Sequence, residues 1–471
     1  MLIARKLTNI RILMSRKDFI IFGIIFIEGF LVLSSEVLIM RRFTPYVGNS
    51  IDITSIIIGL VLLPLSLGYF YGGQYASNNK KIRQKICNNF KVAGMLLATG
   101  FSLWVMEISF AIYAMLNISR GLQVALYMMI FLVYPTYLLA QTVPLISRFL
   151  SKKTIKGVTG KILFSSTLGS LIGSIATTLI LTNLFGVTYS ILIVLLLLLL
   201  ASITLNKKLF NYNNFIILMF LVAYFLVDQN YKKEKGIYSD KVYSTMIINS
   251  LDEGKSKILS INNSSSAKVS SDPSLRFPYV KYIEDRIINI DSKAEKKKDI
   301  LVLGAGGFTI GHSDLYNNYY FVDIDKELKS VSEKYFLQKS LPKNQQFIHQ
   351  AARNILNRDK KYDIIIIDAY TNKNTVPYQL VTREFFKQVK DSLHKDAIAV
   401  FNILTSPNFS NKFSVRVDNT LRSVFSNIIR EIIAGYSSED DAITNILYIY
   451  KNIDSDNKIY TDDLNTSYLD K

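Results

Sequence analysis

The chain has 471 residues, 49% of them hydrophobic, and a formal net charge of +18. Up to Val227 it carries 20 Lys and Arg against 5 Asp and Glu, and from Asp228 onward 35 against 32, so the basic excess belongs to the apolar half. No basic globular face is left to read nucleic acid, and no nucleic-acid partner is expected. A single cysteine, Cys87, excludes an internal disulfide framework and a thiolate metal cluster, and His312, His349 and His394 are scattered without ligand spacing, so no metal site is expected.

In chain order, apolar runs occupy residues 19–40, 53–71, 92–116, 122–146, 163–184, 187–205 and 215–227. Six reach the roughly 20 residues that a helix needs to cross a hydrocarbon core of about 30 Å. The seventh is short and leaves three readings: a tilted or thinned span, an interfacial segment, or the first buried helix of the next domain. A basic segment (Arg5, Lys6, Arg11, Arg16, Lys17) precedes a full-length first run, unlike a cleaved signal peptide. Further cations follow the second run (Lys80, Lys81, Arg83, Lys85, Lys91), the fourth (Arg148, Lys152, Lys153, Lys156) and the sixth (Lys207, Lys208). The positive-inside rule puts the N-terminus and these loops in the cytoplasm. Parity decides the rest: six spans leave the C-terminal half in the cytoplasm, and seven leave it outside.

Three acids lie within the apolar runs. Glu28 and Glu36 are eight residues apart, about 80° around a helix of 3.6 residues per turn, and so share one side. Ionisable groups at that depth are functional candidates; the bland alternative pairs Glu36 with Arg41 or Arg42 near the interface and turns Glu28 into a protein-lined interior. Glu107 in the third run is a further candidate for that interior. Gly169, Gly173 and Ser174 form a small-residue face on which helix backbones can approach closely.

Beyond residue 228 the pattern changes. Alternating runs over 238–261 predict a small antiparallel sheet with one wet face, and the polar run 262–271 predicts a flexible loop. A helix is expected over 278–290. Then come strand 300–303, a glycine turn over 304–311, strand 319–322, helix 326–336, strands 347–349 and 362–367, helix 382–393 and strand 397–403. This alternation predicts a mostly parallel, Rossmann-like sheet wrapped by helices, with ligands beyond the carboxyl ends of its strands. The organisation is therefore a multi-span α-helical membrane domain (1–228), a small β-rich lead-in (229–296), a Rossmann-like α/β domain (297–454) and a fraying polar tail (455–471).

Three positions at those carboxyl ends can carry chemistry. Gly304 and Gly306 let the backbone approach a ligand that larger side chains would exclude. Asp323 closes the next strand about twenty residues later, where a carboxylate can accept both hydroxyls of a ribose. Asp368 ends the run IIIID at the mouth of the same crevice. Asp325 reads differently, as the cap of the helix that starts at Lys326.

The segments DILVLGAGG, YYFVDIDKELKSVSEKYF, AARNIL, KYDIIIIDAY and VPYQLVTREFFKQVKDSL, in that order, resemble the spermidine synthase (polyamine aminopropyltransferase) family over about residues 243–450. SSEVLIMRRFTPYVGNS is similar to the first-span segment of its membrane-fused bacterial branch. The resemblance implies a class I methyltransferase-type fold and aminopropyl transfer from decarboxylated S-adenosylmethionine, a co-substrate and not a tightly bound cofactor, to an amine. It also implies the inner membrane of a bacterial cell as the location, and a homo-oligomer with a nucleoside and a polyamine as partners beside the lipid bilayer that the apolar runs call for.

The chain departs from the family pattern at several acids. Gly307 stands where the glycine loop has an aspartate, and Phe308 and Thr309 replace further glycines. Ala351 stands ahead of Arg353 in place of an adenine-binding aspartate, and Thr371 or Asn372 in place of the aspartate that deprotonates the amine. Ser264, Ser265 and Ser266 replace a glutamine near the cofactor, and Tyr279, Val280 and Lys281 a Tyr-His-Glu stretch. An alkylamine attacks only when neutral, so a positioned carboxylate base contributes roughly 10²–10⁴-fold. Asp368 inherits that task, with Tyr370 orienting the amine. Three readings are open: a membrane-anchored aminopropyltransferase-like enzyme, a non-enzymatic transporter-like or sensory membrane protein with a degenerate synthase domain, and an S-adenosylmethionine-dependent methyltransferase.

Overall fold

The computed structural model describes residues 16–48, 51–149, 155–208, 211–270, 272, 275–289, 296–356, 360–370, 376–433 and 443–452. Thr371, Asn372 and the polar tail lie outside them. The chain divides into two compact units: Met1–Asn249 with Ser260–Ser264, and Ser250–Leu259 with Ser265–Lys471.

The first unit is built from helices α1 (Arg16–Val47), α2 (Ile51–Gln74), α3 (Asn79–Gly100), α4 (Leu103–Met115), α5 (Arg120–Ser147), α6 (Ile155–Ala176, running on to Leu184), α7 (Gly186–Asn206) and α8 (Tyr212–Glu234). Six of them are long and apolar enough to cross a membrane, and α3 with α4, bent by 67°, make a seventh if counted as one span. The interrupted span is thus the third apolar run, and the short seventh run is part of an unbroken 23-residue helix. The reason is Asp228. It ends the apolar run, but the helix continues through it because its charge is matched inside the fold.

That match is a sealed ionic cluster. Arg42, at the end of α1, donates to Asp228 at 2.7 Å, Asp240 at 3.0 Å, Thr188 at 3.0 Å and the Tyr224 hydroxyl at 3.1 Å. Arg41 donates to the Lys241 carbonyl and to Thr245, and Lys232 reaches Asp240 at 3.2 Å. Burial raises the pKa of Asp240, but Lys232, Arg42 and Arg41 outweigh it and hold the carboxyl well below the usual range. The other oxygen of Asp228 accepts the Leu103 amide at 2.8 Å, one of the donors exposed where the chain breaks between α3 and α4. Arg42 is therefore neutralised by Asp228 and Asp240, which corrects its expected pairing with Glu36. Glu107 pairs with Lys235 at 2.8 Å and is 40% exposed, so it does not join Glu28 and Glu36 in an interior. Both of those are buried, and Glu28 accepts a bond from Ser166.

The small-residue face packs α6 on α1. A Cβ on Gly169 would lie 2.1 Å from the Phe26 carbonyl oxygen, and one on Gly173 would lie 2.6 Å from that of Phe30. Ser34 donates to the Gly173 carbonyl across the same seam.

Four lead-in strands, β1 (Ile237–Asp240), β2 (Thr245–Leu251), β3 (Ser256–Ile261) and β4 (Ser264–Ser270), form a sheet in that order. Strand β4 overturns the expected flexible loop. Asn262 and Asn263 take left-handed backbone angles and make the turn, and Ser264 and Ala267 are then buried along the strand. Serines have weak strand preference, so pairing with β3 and not local composition decides this segment.

The second unit continues with α9 (Pro278–Ile283), β5 (Asp299–Leu303), β6 (Asn318–Asp323), α10 (Glu327–Val331), β7 (Gln345–His349), α11 (Ala352–Leu356), β8 (Tyr362–Ile367), α12 (Arg383–Asp391), β9 (Leu393–Thr405), α13 (Lys412–Arg422), β10 (Ile429–Ile433) and β11 (Thr444–Lys451). Its sheet has the order β10-β11-β9-β8-β5-β6-β7. Pairing is parallel from β9 to β7 and antiparallel at β11 and β10. The antiparallel pair and α13 lie beyond the last strand expected from sequence. Strand order reverses at β5, which lies between β6 and β8, so the crevice opens at the carboxyl ends of β5 and β8.

Arg42→Met leaves two buried aspartates without their shared cation and is expected to destabilise the detergent-purified chain by about 3–5 kcal/mol. Gly169→Leu, which forces a side chain into the Phe26 backbone, is expected to cost at least about 1–3 kcal/mol. Thermal melts of the two variants beside the wild type check both, and unchanged melting would remove these contacts from the account.

Candidate active site

The glycine turn is held by backbone geometry. Gly304 (φ +92°) leaves β5 so close to β8 that a Cβ would lie 2.2 Å from the Asp368 carbonyl oxygen. The Gly304 amide donates to the Val322 carbonyl, and the Asp368 amide to the Leu303 carbonyl. Gly306 faces open space by comparison, its nearest neighbour being the Ser266 carbonyl at 3.5 Å. Gly307 (φ +79°) is pinned: a Cβ there would meet Ala267, Phe336 and Leu259 at 2.7–3.0 Å. The loop position that lacks its acid is thus one where this chain leaves no room for one. Phe308 also has a left-handed backbone (φ 62°), and its buried ring packs edge-on against Phe321 and Phe347. That aromatic packing offsets a conformation that bulky residues rarely adopt.

Asp323 ends β6 and accepts the Ala305 amide at 3.1 Å on one oxygen and the Asp325 amide at 2.9 Å on the other. Burial pushes its pKa up to about 6, although the Asp325 and Ala305 amides work the other way. It therefore ties the glycine loop to the end of β6. Asp325 does what its position suggests, accepting the Glu327 amide at 3.0 Å at the start of α10.

Asp368 lies across the crevice. Its carboxylate accepts the Tyr279 hydroxyl at 2.9 Å and the Asn402 amide nitrogen at 2.9 Å. Asn402 is oriented in turn by Asn445 at 2.8 Å. Burial raises the pKa of Asp368 against the opposing pull of Asn402 and Tyr279. Tyr370 is committed elsewhere: its hydroxyl donates to the Asn402 carbonyl at 2.6 Å and accepts the Leu404 amide at 2.8 Å. It straps the segment after β8 to β9 and has no proton to offer an amine. Burial, with Asp368 nearby, holds its phenol well above the usual range.

Gly304, Gly306, Asp323 and Asp368 are thus at the carboxyl ends of adjacent strands, as sequence placed them, and Tyr370 is beside them in a structural role. Arg353 turns to the Gln379 carbonyl and the Thr382 hydroxyl. Sequence reasoning missed Tyr279 and Asn402 as partners of Asp368, and Asn445 as the residue that orients Asn402. Asn402 carried a usable signal, being the lone amide in the buried run AIAVFNIL. Among the described residues no group of three or more His, Cys, Asp and Glu could hold a metal.

Residues 284–436 match the family model described as spermine/spermidine synthase domain, and this unit is a domain of that family. A polyamine aminopropyltransferase from Vibrio vulnificus is 29% identical over 163 residues, 33% of this chain and 51% of that protein. One from Saccharolobus solfataricus is 28% identical over 144 residues, 28% of this chain and 48% of that protein. The chain spans about half the length of the curated relatives it matches. A crystal structure of a probable spermidine synthase from Corynebacterium glutamicum aligns with a TM-score of 0.39 and 19% identity, covering 48% of this chain and 82% of that one.

Gly304→Ala combines a left-handed φ with a backbone clash and is expected to unfold the second unit or to cost more than about 3 kcal/mol. Gly306→Ala, which meets only the left-handed penalty of about 1–2 kcal/mol, is expected to stay folded. Circular dichroism melts of the two purified variants check the contrast, and equal losses would show that the approach of Gly304 to Asp368 is not the constraint.

Proposed function

We propose that the chain is a membrane-anchored spermidine synthase-like protein whose crevice takes an adenosyl sulfonium nucleoside beside a cationic amine and moves an aminopropyl group from the first to the second. The observation that carries this reading is Asp368, a strand-end carboxyl of raised pKa held by Tyr279 and Asn402 in the mouth of the crevice. In the transfer the neutral amine nitrogen bonds to the aminopropyl carbon next to sulfur. The carbon–sulfur bond breaks with its electrons going to sulfur, which leaves as the neutral thioether of 5′-methylthioadenosine. Asp368 takes the amine proton. Asp323, across the crevice, accepts the ribose hydroxyls, and the Gly304 and Gly306 backbone admits the nucleoside.

A second reading, a binding protein without catalysis, is favoured by the state of these acids. Both carboxylates already accept two protein donors each, and Gly307 and Ala351 supply no others. A dication held by fewer carboxylates loses charge-assisted bonds of about 1.5–3 kcal/mol each.

Calorimetry of the purified full chain with 5′-methylthioadenosine, followed by an aminopropyl-transfer assay with a diamine, tests the proposal. Asp323→Ala is expected to abolish nucleoside binding. With a pKa of about 6, Asp323 loses its acceptor form as pH falls, so binding at pH 5 is expected to be about 10-fold weaker than at pH 8. Asp368→Asn is expected to keep nucleoside binding and to lower transfer by about 10²–10⁴-fold. Binding without transfer selects the second reading, no binding by a folded chain rejects both, and methyl transfer from S-adenosylmethionine would make the protein a methyltransferase.

A further inference from the structure

We infer that the helical unit crosses the membrane seven times and delivers the spermidine synthase-like domain to the face opposite its basic loops, which is the outside of the cell. Two independent observations meet here: where the cations lie in sequence, and which helix ends touch within the helical unit.

Helix ends sort into two layers. In one, the Arg148 guanidinium at the end of α5 donates to the Gly73 carbonyl at the end of α2. In the same layer Asn213 at the start of α8 donates to Asn88 near the start of α3, and Cys87 donates to Asn206 at the end of α7. In the other layer, Arg42 at the end of α1 holds Thr188 at the start of α7, Asp228 near the end of α8, and Asp240 beyond it. A Cβ on Gly186, at the very start of α7, would lie 2.8 Å from the Asp240 carbonyl oxygen, and one on Gly121 at the start of α5 would lie 3.1 Å from Ile56 at the start of α2.

These contacts settle the parity within the unit. Helix α5 starts in the Arg42 layer and ends in the Gly73 layer, so the bent pair α3–α4 has to carry the chain across before it. Helix α8 starts beside Asn88 and ends beside Arg42. Its 23 residues, at 1.5 Å each, are long enough for a hydrocarbon core of about 30 Å. The chain therefore leaves the helical unit at the end of α1, on the face away from its N-terminus. A hydrophilic α/β fold does not recross a bilayer, so the chain beyond Asp240 stays on that face.

The charges say which face is which. Of the twenty Lys and Arg up to Val227, seventeen precede or open α1 or lie in the segments around the Gly73 layer. Of these twenty only Arg41, Arg42 and Arg120 belong to the other side, where Lys232, Lys233 and Lys235 at the end of α8 join them. Arg42 is neutralised by two aspartates, Lys232 pairs with Asp240 and Lys235 with Glu107. Positive loops stay in the cytoplasm, which puts the Arg42 layer and the domain outside.

The inference does not rest on catalysis, and it constrains how the crevice is supplied. Amine cations reach an outer face from the surroundings. A sulfonium nucleoside made in the cytosol reaches it only after an export step, so transfer there needs a transport reaction upstream, whereas amine binding alone needs none.

Labelling of the full chain in sealed spheroplasts with a membrane-impermeant maleimide tests it, using Lys81→Cys and Lys412→Cys separately in a Cys87→Ala background. Both lysines are exposed. Lys412→Cys is expected to label from outside, and Lys81→Cys only after permeabilisation, with a cytosolic thiol protein unlabelled as the seal control. Labelling of both variants from one side, or the reverse pattern, overturns the inference. Should the background variant fail to fold, external protease on the wild-type chain decides the same point: loss of the C-terminal unit in sealed cells supports it, and full protection overturns it. Neither readout depends on ligand binding, so a failure here and a failure of the transferase reading are distinguishable.

Discussion

An arginine buried at the end of an apolar helix has to find its counter-charges inside the protein, because no solvent is there to supply them. Arg42 finds two, Asp228 and Asp240, and with them Thr188 and Tyr224. This one requirement fixes which helix ends meet. It allows α8 to remain helical past an aspartate, satisfies the amide freed at the break before α4, and holds the first lead-in strand against the helices. Buried charges of this kind contribute modestly to net stability, yet they penalise every alternative arrangement that separates them.

The same economy of donors shapes the crevice. Asp323 and Asp368 are the two acids that the chain keeps at its strand ends, and the fold already uses both. One closes the glycine loop, and the other receives Tyr279 and Asn402. A carboxylate with internal donors is well oriented, which favours catalysis, and partly satisfied, which weakens its hold on a cation. The tension between those two effects is why one site supports both a transferase reading and a binding reading. Gly307 bears on the same balance, because the packing of Ala267, Leu259 and Phe336 around it excludes a replacement acid.

Apolar runs, glycine turns and strand-end acids are legible in the sequence because each is a local pattern with a local cause. Hydrophobic length reports bilayer thickness, φ > 0 calls for glycine, and an acid at the end of an isoleucine run marks a sheet edge. Local reading fails elsewhere for an equally physical reason. The serine-rich run became β4 because a neighbouring strand paired with it, Tyr370 spent its hydroxyl on the backbone of β9, and Glu107 met Lys235 from a distant helix.

By itself, then, the sequence determined the division into an apolar helical half and a Rossmann-like half, the family of the second half, and the positions of Gly304, Gly306, Asp323 and Asp368. Only the tertiary structure decided which charges neutralise each other, which helix is broken, and which groups orient Asp368. The partners of Arg42 lie between 146 and 198 residues away along the chain. No sequence window holds both sides of such a contact, and the energy that selects it, the cost of an unpaired buried charge, exists only once the chain has closed around it.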